Sequence, residues 1–392
     1  MHDDIWLVGG LRTPFGRFGG SLRDLSLVEL ATEAVRGLVE QHHWPSEAVS
    51  ELLLGTGMIE GATFVPARQL SLGLGLPESL PTLTVDRACC SGMTVIGLAA
   101  RTISAGACSV IAAGAESMSR TPRLLHSTRW GAKRGDLKVE DLLLMRSPLS
   151  GTPLATYTGR EALARGVTRE DQDQWALRSQ QRYAAAEADG WYDDERITVH
   201  TRRGAVSQDE QPRADVSLES LAALDTVYDS PTVTAGNAPG LNDGACALLL
   251  AGNRTLNETG AQPLARLAGY EQIAGGPTSA VYLPGVAIRR LLDRVGVPLH
   301  DVAVIEINEA FAATAQCSLG ELAGNDAELE AELRERTNPN GGAVALGHPM
   351  GASGARVTLA AARELRRRGG RWAVAAICGG FGQADAVLLE AC

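Results

Sequence analysis

The strongest constraint on the fold of this 392-residue chain is a plan that it uses twice. Residues 89–116, "CCSGMTVIGLAARTISAGACSVIAAGAE", and residues 351–380, "GASGARVTLAAARELRRRGGRWAVAAICGG", each run through a small-Ser-Gly turn, an alanine-rich helix, a glycine stop and a strand of small residues. The likeness is weak residue by residue, but order and spacing agree. Two related α/β halves follow, each bringing a Ser-Gly helix start toward a common site. Flanking segments support this, because apolar runs of strand length ("IWLVGG", "ELLLGT", "ACALLLAG", "VAVIEINEA") alternate with helical patterns such as "SLVELATEAVRGLVEQ". Such alternation indicates an α/β fold with sheets buried on both faces.

The expected division is an N-terminal half over 1–119, completed by about 250–265, an insertion over 120–249, and a C-terminal half over 266–392. Composition turns to arginine, aspartate and glutamine in the insertion, which reads as loop-rich with short helices rather than as a third sheet domain. One helix, within "TREDQDQWALRSQQRYAAAEADG", opens on the capping box of Thr168 and Asp171 and stops at Gly190. The early insertion carries Arg120, Arg123, Arg129, Lys133, Arg134, Lys138 and Arg146 against Asp136, Glu140 and Asp141. It reads as a solvated loop or subunit contact, or as a rim that greets phosphates.

Charge and cysteine usage exclude several function classes. A net charge of -10 argues against nonspecific binding to nucleic acid or anionic membranes. No stretch reaches the roughly 18 to 20 apolar residues of a membrane span. The start, "MHDDIWLVGG", has acids where an export signal wants lysines. Seven cysteines, an odd number spread thinly, fit reduced thiols and a cytoplasmic setting better than a disulfide framework. With no C-x-x-C pair and no histidine at ligand spacing from a cysteine, zinc is not expected.

Four residues stand where chemistry can happen. Cys89 follows the strand-like "LTVDRAC" and precedes a helix, whose dipole and free N–H groups favour a thiolate. Cys378 ends the strand "WAVAAIC" ahead of Gly379 and Gly380, at the kind of carboxyl end where α/β sheets gather ligands. His348 lies among glycines that leave its ring little cover, and Asn308 and Glu309 close the strand "VAVIEI". Singly, each has an ordinary structural role: a small buried hydrophobe, a hydrogen-bonded imidazole, a turn amide. Together, cysteine, histidine and asparagine suggest acyl transfer at sulfur. The Cys-Gly-Ser-Cys-Trp signature of a papain-like protease is absent, and a second thiol has no protease role.

The chain resembles the thiolase family (acetyl-CoA acetyltransferase and 3-ketoacyl-CoA thiolase). "RTPFGRFGGSL" (12–22), "DRACCSG" (86–92), "TAGNAPGLNDGA" (234–245), "NEAFA" (308–312), "NGGAVALGHPMGASGAR" (340–356) and "CGGFG" (378–382) follow in family order. The resemblance implies a five-layered αβαβα fold of two pseudo-symmetric halves with a loop-rich insertion. It implies reversible Claisen condensation of an acyl-CoA with acetyl-CoA, or thiolysis of a 3-ketoacyl-CoA, by a ping-pong route. In that scheme His348 assists Cys89, which takes the acyl group, and Cys378 removes the α-proton of the second thioester. His348 and a water on Asn308 hold the enolate oxygen, while the N–H groups of Cys89 and Gly380 hold the other oxyanion. Acyl-CoA, acetyl-CoA and CoA are the implied partners, with no metal or prosthetic group, and family habit implies a homodimer or homotetramer.

The departures from family habit lie mostly around the substrate. Asp86 stands where asparagine is usual and could pair with Arg87 or another basic group, Phe381 stands where glycine is common, and Cys90 is expected to be a bystander. Pro153 and Leu154 replace a His-Met pair, Gly269 and Tyr270 stand for a Ser-Trp pair on the pantetheine arm, and "LPGVA" (283–287) stands for a Gly-Pro-x-Pro-Ala element. Two other readings remain open at this point: a β-ketoacyl synthase-like condensing enzyme, which pairs cysteine with two histidines, and a thioester-binding scaffold without turnover.

Overall fold

The computed structural model describes residues 4–58, 64–131, 134–324 and 326–392; Lys133 of the basic stretch lies outside them. The first half comprises β1 (Ile5–Arg12), α1 (Leu27–Gln41), β2 (Val49–Gly55), β3 (Thr82–Val85), α2 (Ser91–Ser104) and β4 (Ser109–Ser117). The insertion carries α3 (Leu154–Ala164) and α4 (Arg169–Ala188), and α4 opens on the expected capping box at Thr168. The chain then returns through β5 (Asn242–Gly252). The second half comprises β6 (Ala265–Ala274), α5 (Leu283–Val295), β7 (Val302–Ile307), α6 (Ala312–Ala323), α7 (Met350–Arg368), β8 (Trp372–Gly379) and β9 (Gln383–Glu390).

These strands lie in the order β7-β8-β9-β6-β1-β5-β4-β2-β3, with the short strand Gly16–Arg17 added beside β5. In one half β2 runs parallel to β3 and β4, and β5 and β1 are antiparallel. The other half repeats this: β7 is parallel to β8, and β9 and β6 are antiparallel. A lone parallel bridge from Ile305 to Thr337 stands where β3 stands in the first half. The halves meet edge to edge, Trp6 and Leu7 of β1 facing Arg266 and Ala265 of β6.

Helices α2 and α7 pack on each other and reach both half-sheets, α1 covers the outer face of the first and α5 the outer face of the second. That is the layer order αβαβα. Strand β5 shows how the layers share one chain: Cys246, Leu248 and Leu250 join the cluster around α2 and α7, while Ala247, Leu249 and Ala251 join the cluster under α1. The expected end of the insertion at 249 falls inside this strand, all of which is buried. Its polar start looks like loop in sequence, yet Asn242 and Asp243 are buried because their side chains bond to Gly16, Ser119 and the backbone of His348.

Small residues at the two Ser-Gly turns are set by the contact between α2 and α7. A Cβ on Gly92 would sit 2.3 Å from the Gly351 carbonyl oxygen, and one on Gly354 would sit 2.3 Å from the Met93 nitrogen. Both obstacles are backbone and cannot swing away. Glycine to alanine in a helix interior ordinarily stabilises by up to about 1 kcal/mol. Here the sign should reverse: Gly354→Ala is expected to lower the stability by about 1–3 kcal/mol in chemical denaturation. An unchanged or higher midpoint would contradict this packing.

Candidate active site

The turn from β3 to α2 carries Cys89. Ala88 takes a left-handed backbone, φ +51°, unusual for a side-chain-bearing residue. Three local bonds hold it there: Asp86 Oδ1 accepts from the Ala88 N–H at 2.9 Å, Ser91 Oγ accepts from the Arg87 N–H at 2.8 Å, and the Ser91 hydroxyl donates to the Ala88 carbonyl at 2.6 Å. Asp86 is therefore occupied by backbone, and the expected pairing with Arg87 does not form. Arg87 instead reaches across to the second half, where its guanidinium bonds Asp385 at 2.6 Å; Thr94 and Tyr270 donate to the same carboxylate. Cys90 is buried, with its sulfur directed at the Ile377 carbonyl.

His348 precedes α7. Its backbone N–H donates to Asn242 Oδ1 at 2.9 Å, and its Nδ1 lies 2.6 Å from Ser353 Oγ. The Ser353 hydroxyl donates to the Pro349 carbonyl at 2.9 Å, so its oxygen accepts from His348 Nδ1–H. That arrangement puts the proton on Nδ1 and leaves Nε2 with a free lone pair. Nε2 is buried and has no partner among the described residues; the same holds for both polar atoms of the fully buried Asn308 amide. Buried polar atoms of this kind are normally satisfied by ligand or water. Burial first, and the positive Arg356 second, lower the His348 pKa to about 3, so the ring is neutral across the physiological range.

Cys378 is the penultimate residue of β8 and is buried, and burial raises its thiol to about 12. Cys89, His348, Cys378 and Gly380 line one cavity of about 510 Å³, a mainly apolar space walled by insertion residues, among them Leu144, Pro153 and Leu154. Asn308 is not in that lining; its neighbours Ala310 and Phe311 are. The helix start does not leave Cys89 a ready thiolate as its position led us to expect. Burial, followed by Coulombic repulsion from Cys378 and Glu116, pushes the thiol well up. The resting pair is thus thiol and neutral imidazole.

Two supposed wall elements lie elsewhere. Gly269 and Tyr270 sit within β6; the Tyr270 ring occupies the space beside Gly97, gives its hydroxyl to Asp385, and does not line the cavity. Residues 283–287 begin α5, and the cavity is lined instead by Pro277, Thr278, Ala280 and Val281 just before it. Sequence reasoning also passed over Glu116, at the carboxyl end of β4. It accepts from the Thr56 hydroxyl and the N–H groups of Gly57, Met58 and Gly351, tying both halves together beneath the site. Burial lifts its pKa to about 7 despite these bonds. The strand-end rule that drew attention to Cys378 would have found it. Among the described residues no cluster of three or more His, Cys, Asp or Glu is placed to hold a metal ion, no helix is long and apolar enough to cross a membrane, and the seven cysteines are unpaired.

Comparison with known proteins agrees with this architecture. Residues 5–254 match the thiolase N-terminal domain and residues 261–391 the thiolase C-terminal domain. A probable acetyl-CoA acetyltransferase of Mycolicibacterium smegmatis is 38% identical, covering 98% of this chain and 100% of its own. A beta-ketoadipyl-CoA thiolase of Pseudomonas aeruginosa is 39% identical over 100% of both chains. The crystal structure of human mitochondrial 3-ketoacyl-CoA thiolase in complex with CoA superposes with a TM-score of 0.94 at 34% identity, covering 100% of this chain and 98% of that one. The chain belongs to the thiolase family and is an acyl-CoA C-acyltransferase.

Proposed function

We propose that the protein condenses an acyl-CoA with acetyl-CoA, or cleaves a 3-ketoacyl-CoA with CoA, through an acyl group carried on Cys89. The observation that carries this is the convergence of Cys89, His348, Cys378 and Gly380 on one cavity. His348 Nε2 takes the Cys89 proton as sulfur attacks the thioester carbonyl, because a raised thiol and a neutral imidazole favour general-base transfer over a preformed ion pair. The carbon–sulfur bond to CoA breaks, and the leaving sulfur takes the proton of Cys378. Acylation then leaves the Cys89 proton on His348 and a thiolate at Cys378; each group alone favours its neutral form, so the two charges persist only as an opposite-charge pair inside the closed cavity.

That thiolate is the base of the second half-reaction. It removes the α-proton of acetyl-CoA, and the resulting enolate attacks the acyl carbon on Cys89, releasing the 3-ketoacyl product and returning both thiols and the neutral imidazole. His348 and Asn308, whose amide is free to hold a water, are assigned to the enolate oxygen. The N–H groups of Cys89 and Gly380 are assigned to the acyl oxyanion. These steps move only protons and an acyl group, so they require no metal or prosthetic group. Seven unpaired thiols support a reducing, cytoplasmic setting. An exposed pair of strands, Arg123–Leu125 and Val139–Asp141, carries Leu125 and Val139 on its surface, and the segment between them carries the exposed Leu137 and the 91% exposed Trp130, supporting a homodimer or homotetramer.

Initial rates of thiolysis test the scheme. Double-reciprocal lines at several CoA concentrations should be parallel. The rate should show no loss centred near pH 6.5, because His348 with a pKa of about 3 stays neutral until well below it. Any inflexion between about pH 6 and 7 is assigned to Glu116 and Asp243, which burial raises to about 7 and about 6. Intersecting lines, or a histidine-like step near 6.5 that survives in both E116Q and D243N, would contradict the scheme.

A further inference from the structure

The turn that follows Cys378 holds an aromatic residue in a conformation suited to glycine. Phe381 has φ +62°, in the left-handed region that is unusual for a bulky side chain. The turn cannot relax around it. Gly382, at φ +76°, accepts from the Gly275 N–H at 2.7 Å, and a Cβ on Gly382 would sit 2.1 Å from the Gly276 carbonyl oxygen. The far end is pinned as Gln383 pairs with Ala274 in the β6–β9 ladder. A phenyl group held against backbone preference, and 40% exposed, contributes little to the core. What it does is line the cavity beside Cys89, His348 and Cys378.

Depth along this turn says which part of a substrate it meets. Cys378 is 5% exposed and Phe381, three residues on, is 40% exposed, so the chain passes from the buried reacting thiol to the rim within one turn. A thioester that reaches Cys89 and Cys378 must thread its carrier arm past that rim. The segment Pro277 to Val281, fastened to the turn through the Gly275–Gly382 bond, lines the same cavity with mainly apolar side chains.

Resting on the acyltransferase reading above, we propose that Phe381 is a specificity-determining residue whose ring grips the thioester's carrier arm at the cavity mouth, the strained backbone being retained to place it there. The ring acts on binding and not on the reacting carbon. Phe381 thus selects for the carrier.

The test follows acetylation of Cys89 by intact mass over a range of acetyl-CoA concentrations, in the full-length wild type, F381G, F381A and F381L, with thermal midpoints for each. In F381G and F381A the half-saturating concentration should rise about tenfold while the rate at saturation falls less than about threefold. F381L, which keeps apolar bulk, should recover most of the affinity. The midpoint should rise in F381G alone, because only glycine relieves the backbone. An unchanged half-saturating concentration in F381A, or a fall confined to the saturating rate, would overturn the proposal; a midpoint in F381G no higher than in F381A would remove the strain on which it rests. Failure of the wild type to acetylate would overturn the acyltransferase reading itself, a result distinct from any of these.

Discussion

Cys89→Ala is expected to abolish acyl-adduct formation and to lower turnover by roughly 10^4-fold or more, the scale seen when a covalent nucleophile is removed. Three observations converge on this residue. It lies on a turn held by Asp86, Arg87 and Ser91 around the left-handed Ala88, it lines the cavity, and it is raised by burial into a thiol that needs a base. Stability should change little, because the turn stays fastened through Asp86, Arg87 and Ser91. Thiol release from acetyl-CoA and chemical denaturation separate the two effects. A C89A protein that turns over within tenfold of wild type would assign the nucleophile elsewhere.

The second large effect is selective. Cys378→Ala should still form the adduct on Cys89, because the imidazolium at His348 can return its proton to the leaving CoA sulfur. Carbon–carbon bond formation and cleavage should fall about 10^2–10^4-fold, the range for loss of a positioned general base. Exchange of labelled CoA into acetyl-CoA, which needs only the first half-reaction, should therefore persist while thiolysis fails. Equal loss of both would mean that the His348 imidazolium cannot replace Cys378 as the acid that protonates the leaving CoA sulfur.

Much of this organisation is legible in the chain, and the reasons are physical. The repeated plan at 89–116 and 351–380 corresponds to α2 with β4 and to α7 with β8, because close helix packing demands small residues and a strand buried on both faces demands apolar ones. Cys89, Cys378 and His348 stand out for the same reason: each lies at a strand end or helix start where backbone groups face a cleft. Less is legible where long-range burial decides. Cys89 at a helix start suggests a thiolate, but desolvation outweighs the local dipole. Asn242 looks like loop until its partners Gly16 and His348 are known, each more than 100 positions away. Tyr270 reads as a wall of the site, yet Asp385 and Gly97 draw it into the seam between the halves.

One thiol, Cys89, carries the acyl group in this mechanism. The most direct measurement is intact mass after brief exposure of the purified protein to acetyl-CoA, followed by peptide mapping. A single acetyl group is expected, mapped to Cys89 and removed by added CoA. A folded protein that acquires no adduct from acetyl-CoA or from longer acyl-CoAs, or acquires it at another residue, would contradict it.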